Sequence, residues 1–156
     1  MLQRLATFTC AAVFAAIAIY ISIVEQPSRL LLDDRAQLLQ WASSYPPAMK
    51  IQGGLAILAG LSALWIWFRS RNPLWLIGAI LILANWPYTL LMLNPINHAL
   101  MGMASSASAE TSRTLVEQWG WLHATRSLLG LVTAILFAMA LLRDANGRSL
   151  VMAQAK

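Results

Sequence analysis

Charge is scarce in this sequence, and what there is lies scattered. Of 156 residues only 11 are Lys or Arg and 6 are Asp or Glu, against 59% hydrophobic residues and a mean hydropathy of +0.63. That is too little charge to solvate the outside of a soluble domain, so most of the exterior must face lipid. The positive residues stand singly at the ends of apolar runs and build no patch or stripe, which excludes a nucleic-acid footprint despite the net charge of +5. Cysteine is nearly absent. Cys10, alone inside the first apolar run, allows neither an intrachain disulfide nor a thiolate metal cluster. No apolar run alternates with period two, which excludes a transmembrane β-barrel and leaves the helix to satisfy every backbone group in lipid. A Ser-His-Asp set, a phosphate loop and a dinucleotide fingerprint are missing too.

What is present is four uncharged runs, at 5–24, 51–68, 74–93 and 127–142, the last lengthened at its front by a more polar stretch over 116–126. Each approaches the ~20 residues that cross the hydrocarbon of a bilayer. They predict an all-α, integral membrane four-helix bundle, a single transmembrane domain over 1–156 with helices at about 4–25, 48–69, 73–93 and 114–143. The first run follows Arg4 as a signal peptide would, but it has the length of a full span and no clean small-x-small cleavage site, so it is expected to be retained. Arg4, the pair Arg69 and Arg71, and Arg143, Arg148 and Lys156 put both termini in the cytoplasm, in a bacterial inner membrane. On the opposite side, 25–49 mixes leucines and Trp41 with charges, which predicts an amphipathic helix in the first extramembrane loop, ended by Pro46 and Pro47. The stretch 94–113, with Gly102 and Ser105, Ser106, Ala107 and Ser108, predicts a flexible loop on that side.

This topology gathers the polar residues at one place. Glu25, Gln26 and Arg29 follow the first span, Asn94, Asn97 and His98 follow the third, and Trp119, His123 and Arg126 open the fourth. Polar groups at membrane depth are costly unless paired and usually face one another or a cavity, so Glu25 and Arg29 are expected to approach His123 or Arg126. Trp119, His123 and Arg126, spaced i, i+4, i+7, share one helical stripe. Trp119 by itself reads as an interfacial belt residue, whereas His123 and Arg126 together read as function, since Arg126 falls about two turns inside its helix. Pro87 beside Tyr88 frees a carbonyl and kinks the third span, either opening a pocket or simply being tolerated. Asn94 and Pro95 read as a turn that ends that span, with Asn94 as a cap and Asn97 free for a ligand oxygen. A metal would have to use Glu25, His98 and His123, a weak set in a chain with 2 histidines; no metal is predicted.

The order Glu25-Gln26-Pro27-Ser28-Arg29, Trp86-Pro87-Tyr88-Thr89-Leu90, Asn94-Pro95-Ile96-Asn97 and Trp119-x-x-x-His123-x-x-Arg126 resembles the anthrone oxygenase-like family of four-helix membrane proteins, over nearly the whole chain. The resemblance implies oxidation of a flat phenolic or anthrone-type substrate by molecular oxygen, with no organic cofactor. The family's pattern more often has a basic residue where His98 stands, which counts against a metal there. On this reading His123 removes a proton, Arg126 stabilises the oxyanion and Trp119 stacks on the ring, while Asn94, Asn97, Glu25, Gln26, Arg29 and Tyr88 line the substrate. The expected partners are the lipid bilayer and a hydrophobic aromatic small molecule, with association of copies of the chain left open. A non-catalytic membrane protein that binds a lipid or quinone-like molecule, or packs on a partner, would use the same pocket.

Overall fold

A computed structural model of the chain describes residues 1–106 and 112–154, with side chains through residue 146. It contains α1 (Leu2–Tyr20), a π-helical turn (Ile21–Glu25), α2 (Gln26–Leu30), α3 (Asp34–Ser70), α4 (Pro73–Tyr88), a second π-helical turn (Thr89–Leu93), α5 (Asn94–Ser106) and α6 (Ser112–Gln154), with no strand among the described residues. Several of these run on into one another. The result is four rods, Leu2–Leu30, Asp34–Ser70, Pro73–Ser106 and Ser112–Asn146, each long and apolar enough to cross a membrane.

The first rod packs against the second and the fourth, and the third packs against the same two. Small residues permit the close approach: Ala11, Ala18, Ala56, Ala59, Ala63, Ala79 and Ala140 form a core with Phe14, Trp75, Ile82 and Phe137. Gly78 is where backbone meets a ring, because a Cβ there would run into Phe137. Outward, Leu2, Ile23, Leu58, Leu91 and Leu142 are all more than 60% exposed, the surface of a protein solvated by lipid. The turn between the second and third rods is made by Arg71, in the left-handed region at φ 56°, and Asn72, whose side chain accepts from the Leu74 N–H.

Three sequence expectations change. Pro46 and Pro47 do not end a separate amphipathic helix, for α3 passes through both. Proline's fixed φ is helical, so two prolines forfeit hydrogen bonds without forcing a break when packing on either side holds the register. Here Trp41 and Leu38 above and Gln52 and Ala56 below are all buried. Asn94 and Pro95 do not end the third span either, and Asn94 caps nothing. The Asn94 N–H reaches back to the Thr89 carbonyl, closing a π-helical turn just before Pro95. The first rod repeats this arrangement, Gln26 N–H bonding the Ile21 carbonyl just before Pro27. The wider turn absorbs the proline, and the helix continues. The expected loop over 94–113 is therefore helix as far as Ser106, while Ala107, Ser108 and Glu110 lie outside the described residues, as do Lys156 and the Arg148 side chain. With 37 residues at ~1.5 Å each, α3 is roughly 55 Å long against ~30 Å of hydrocarbon, so it is longer than one crossing requires.

Candidate functional site

The stripe on α6 faces inward. Trp119, His123 and Arg126 are exposed by only 3%, 2% and 5%. The Trp119 ring stacks on the His123 imidazole, with centroids 4.7 Å apart and planes at 21°, and meets edge-on two rings from α3, Trp41 and Tyr45, which stack on each other at 4.8 Å. Asn97, on α5, ties this wall together. Its Oδ1 accepts from the Trp119 indole at 3.0 Å and its Nδ2 donates to the Tyr45 hydroxyl at 2.8 Å. Both polar tips are thereby fixed, while the Trp41 indole N–H, buried beside them, has no partner among the described residues.

His123 is oriented by two serines absent from the sequence reading. Its Nδ1 is 3.2 Å from Ser22 Oγ, Ser22 Oγ is 2.8 Å from Ser127 Oγ, and Ser127 Oγ is 2.9 Å from the Ala18 carbonyl and 3.2 Å from the His123 carbonyl. A proton count assigns the directions. Carbonyls only accept, so Ser127 spends its single proton on one of them, and Ser22 must then donate to Ser127. Ser22 Oγ is left as an acceptor, which puts the proton of the neutral imidazole on Nδ1. The lone pair is on Nε2.

The two buried arginines differ. Arg29 is 2.6 Å from Glu25, donates to Gln26 at 2.7 Å and Ser44 at 3.1 Å, bonds Gln40, and stands 5.6 Å from the Trp119 ring centroid. Among the described residues the Arg126 side chain has one hydrogen bond, 3.3 Å from Nη2 to Gln52 Oε1, besides lying over the Phe14 ring. Its Nε has no partner among the described residues. The approach expected of Glu25 thus takes another form: Glu25 binds Arg29 and Gln40, and it meets His123 and Arg126 only across a cavity that all of them border.

That cavity, also lined by Tyr45 and Gln52, has about 10 Å³ of room, enough for about one water. A second, of about 20 Å³, is bordered by Gly53, Asn85, Trp86 and Thr89 and shares Met49 and Arg126 with the first. Outside the bundle, a groove of about 440 Å³ between the first and fourth rods is lined by Ser22, Leu30, Gly120 and Trp121.

Not every candidate from the sequence joins the site. Tyr88 is half-buried and donates to the Leu122 carbonyl at 3.2 Å, and neither Tyr88 nor Asn94 borders either cavity. Gln26 links the rods, donating to the Val116 carbonyl at 2.8 Å. His98 is exposed while His123 is buried, and no three His, Cys, Asp or Glu residues assemble among the described residues, so Glu25, His98 and His123 do not form a metal-binding set. Ser22, Tyr45, Gln52, Asn85, Thr89 and Ser127 join the site without having been singled out. Two of them stand in helical register with a recognised residue, Ser127 four after His123 and Ser22 four before Gln26.

Fold and site together define a class: a four-helix bundle with a lipid-facing exterior that buries an imidazole and an uncompensated guanidinium against an aromatic wall at one end. The anthrone oxygenase family matches over residues 41–136, and the chain belongs to that family. Relatives include an anthrone oxygenase of Aspergillus novofumigatus, 35% identical over 130 residues, with 72% of this chain and 76% of that protein covered. A second, from Aspergillus terreus, is 30% identical over 140 residues, covering 83% and 92%. These relatives are fungal, which lends no support to a bacterial source. No solved structure matches.

Proposed function

We propose that the chain oxidises a flat anthrone-type carbon acid or phenol, drawn from the bilayer, with molecular oxygen. The observation that carries this reading is the pair His123 and Arg126, an imidazole and a guanidinium with no acidic partner among the described residues, which border one buried cavity. Nε2 of His123 takes a proton from the methylene carbon, and Arg126 stabilises the enolate through its planar fork. The carbanion gives two electrons to dioxygen, forming a C–O bond, and the peroxide anion takes the proton from the imidazolium. His123 then removes the second methylene proton; the C–H pair becomes the new C=O bond, the O–O bond breaks, and the departing hydroxide takes that proton to leave as water. One CH2 and one O2 become one C=O and one H2O, with no metal or organic cofactor required.

Trp119 has His123 on its ring and Arg29 beside it, so its role shifts from stacking on substrate to backing the base, and Tyr45 is the ring left to meet the substrate. Three fused rings need more than 10 Å³. Met49, unbranched and shared by both cavities, is the side chain whose rotation would join them. The basic end of the bundle, where Arg4, Arg71 and Arg143 border one pocket, would face the cytoplasm and the site the opposite side; a reporter fused after Lys156 tests this by proving cytoplasmic.

The decisive experiment uses purified protein in detergent with an anthrone under anaerobic deuterated buffer, then oxygen. Exchange of the methylene protons above the protein-free rate, followed by oxygen uptake and quinone formation, is expected, and both should vanish in His123→Ala. One observation, the groove of about 440 Å³ between the first and fourth rods, which has room for a ring as it stands, favours a second reading in which the chain binds a quinone-like molecule without turnover. Binding with neither exchange nor oxygen uptake would establish it.

A further inference from the structure

Asn85 Oδ1, Thr89 Oγ1 and Arg126 Nε are buried without a hydrogen-bond partner among the described residues. All three residues border one small cavity, where the second, third and fourth rods meet, and His123 does not border it. Buried polar atoms are nearly always paired, and the other two that are unpaired among the described residues, Gln37 Oε1 and Trp41 Nε1, border neither cavity, so three gathered around one space indicate a polar occupant. Their donor pattern describes it. The Asn85 amide gives its protons to the Leu81 and Ile82 carbonyls, at 3.3 and 3.2 Å, so Oδ1 is an acceptor; Arg126 Nε–H is a donor; the Thr89 hydroxyl is either. The other walls are apolar, from Met49, Ala56 and Trp86. About 20 Å³ admits a water or a two-atom species and no ring.

Resting on the oxygenase reading above, we propose that this cavity is the oxygen subsite. It takes dioxygen beside the enolate and holds the peroxide oxygens once the C–O bond has formed. The terminal O–H of the hydroperoxide donates to Asn85 Oδ1, and its oxygen accepts from Thr89 and from Arg126 Nε. After the O–O bond breaks, the same three atoms hold the product water. Arg126 borders both cavities, so one guanidinium faces the negative charge first on the enolate and then on the peroxide. Thr89 stands where the second π-helical turn begins, and its unpaired hydroxyl belongs to the wall of this cavity.

The test separates the two halves of the reaction. In Thr89→Val and Asn85→Leu, anaerobic deuterium exchange and anthrone affinity should match wild type, while kcat/KM for oxygen falls roughly tenfold, the effect of losing one hydrogen bond made at the reacting atom. If both variants keep the wild-type kcat/KM for oxygen, the subsite is wrong and the base assignment stands. If wild type itself fails to exchange, the oxygenase reading fails and the subsite with it. Should Asn85→Leu not fold, Thr89→Val alone decides, since it keeps shape and removes only the hydroxyl.

Discussion

The two ends of the bundle each bury a polar cluster, and they differ in how completely it is satisfied. At the end holding the termini, Asp144 accepts from Arg4 at 3.1 Å, Asn72 at 2.9 Å and the Trp75 indole at 3.0 Å. Four residues close on one another. At the other end Arg29 is held as thoroughly by Glu25, Gln26, Gln40 and Ser44, yet Arg126 is given a single amide oxygen, and Asn85 and Thr89 beside it have unmade bonds. Each such group costs ~1–3 kcal/mol, a penalty a structural clamp has no reason to bear. Polarity inside a membrane bundle therefore does not by itself mark the site. Unmade bonds gathered on one cavity mark it, since Gln37 Oε1 and Trp41 Nε1 are buried and unpaired among the described residues too yet border neither cavity.

The largest expected effect is that of His123→Ala, which should lower anthrone oxidation by ~10²–10⁴-fold, the usual worth of a positioned general base, while the melting temperature in detergent stays near wild type. A comparable loss of stability and rate together would put His123 with the clamps. Next comes Arg126→Met. Losing the enolate-binding charge should cost ~10²–10³-fold in rate, but stability should hold or rise, because an under-bonded cation is replaced by an apolar chain. Arg126→Lys, with charge but no fork, should keep part of the rate. If Arg126→Met unfolds the protein, Arg126 is better bonded than its contacts indicate.

The opposite end should respond in reverse. Asp144→Ala strands Arg4, Asn72 and Trp75 together and should destabilise by about 2–4 kcal/mol, read from thermal or denaturant unfolding in detergent, with oxygen uptake per folded molecule unchanged. A drop in uptake without a drop in stability would mean that the two ends communicate.

Why the sequence disclosed one part of this and not the rest can be traced to particular residues. Length and hydrophobicity made the four rods legible, and the i, i+4, i+7 spacing of Trp119, His123 and Arg126 made the stripe legible, because both depend only on local periodicity. Pro46 and Pro47 hid the contribution of α3. Read as a break, they cut Tyr45 off from Gln52, although one continuous helix puts both on the site face. Asn94 and Pro95 hid α5 in the same way, so Asn97 was a candidate without its partners. A proline's cost is local, whereas its tolerance depends on packing and on π-helical turns that no short window contains. Ser22 was concealed differently: a lone serine in an apolar span has nothing to distinguish it until Ser127 and His123 are seen across from it.

The smallest effect concerns those serines and asks whether the chain from His123 to the Ala18 carbonyl acts as a unit. Ser22→Ala removes the acceptor of the Nδ1 proton, so the imidazole is free to carry its proton on Nε2 instead, where it no longer acts as a base. The expected loss is roughly 3–10-fold in kcat, with KM for the anthrone unchanged, because the substrate cavity does not include Ser22. Ser127→Ala has the same consequence by another route. Without Ser127 as its acceptor, the Ser22 hydroxyl turns its proton toward Nδ1 and favours the wrong tautomer. Since each substitution breaks the same chain, the double variant should be about as slow as the slower single one, and Ser22→Thr, which restores a hydroxyl, should recover most of the rate. Serines that only packed the first rod against the fourth would lower stability additively, leave the ratio of kcat to KM alone, and gain nothing from threonine.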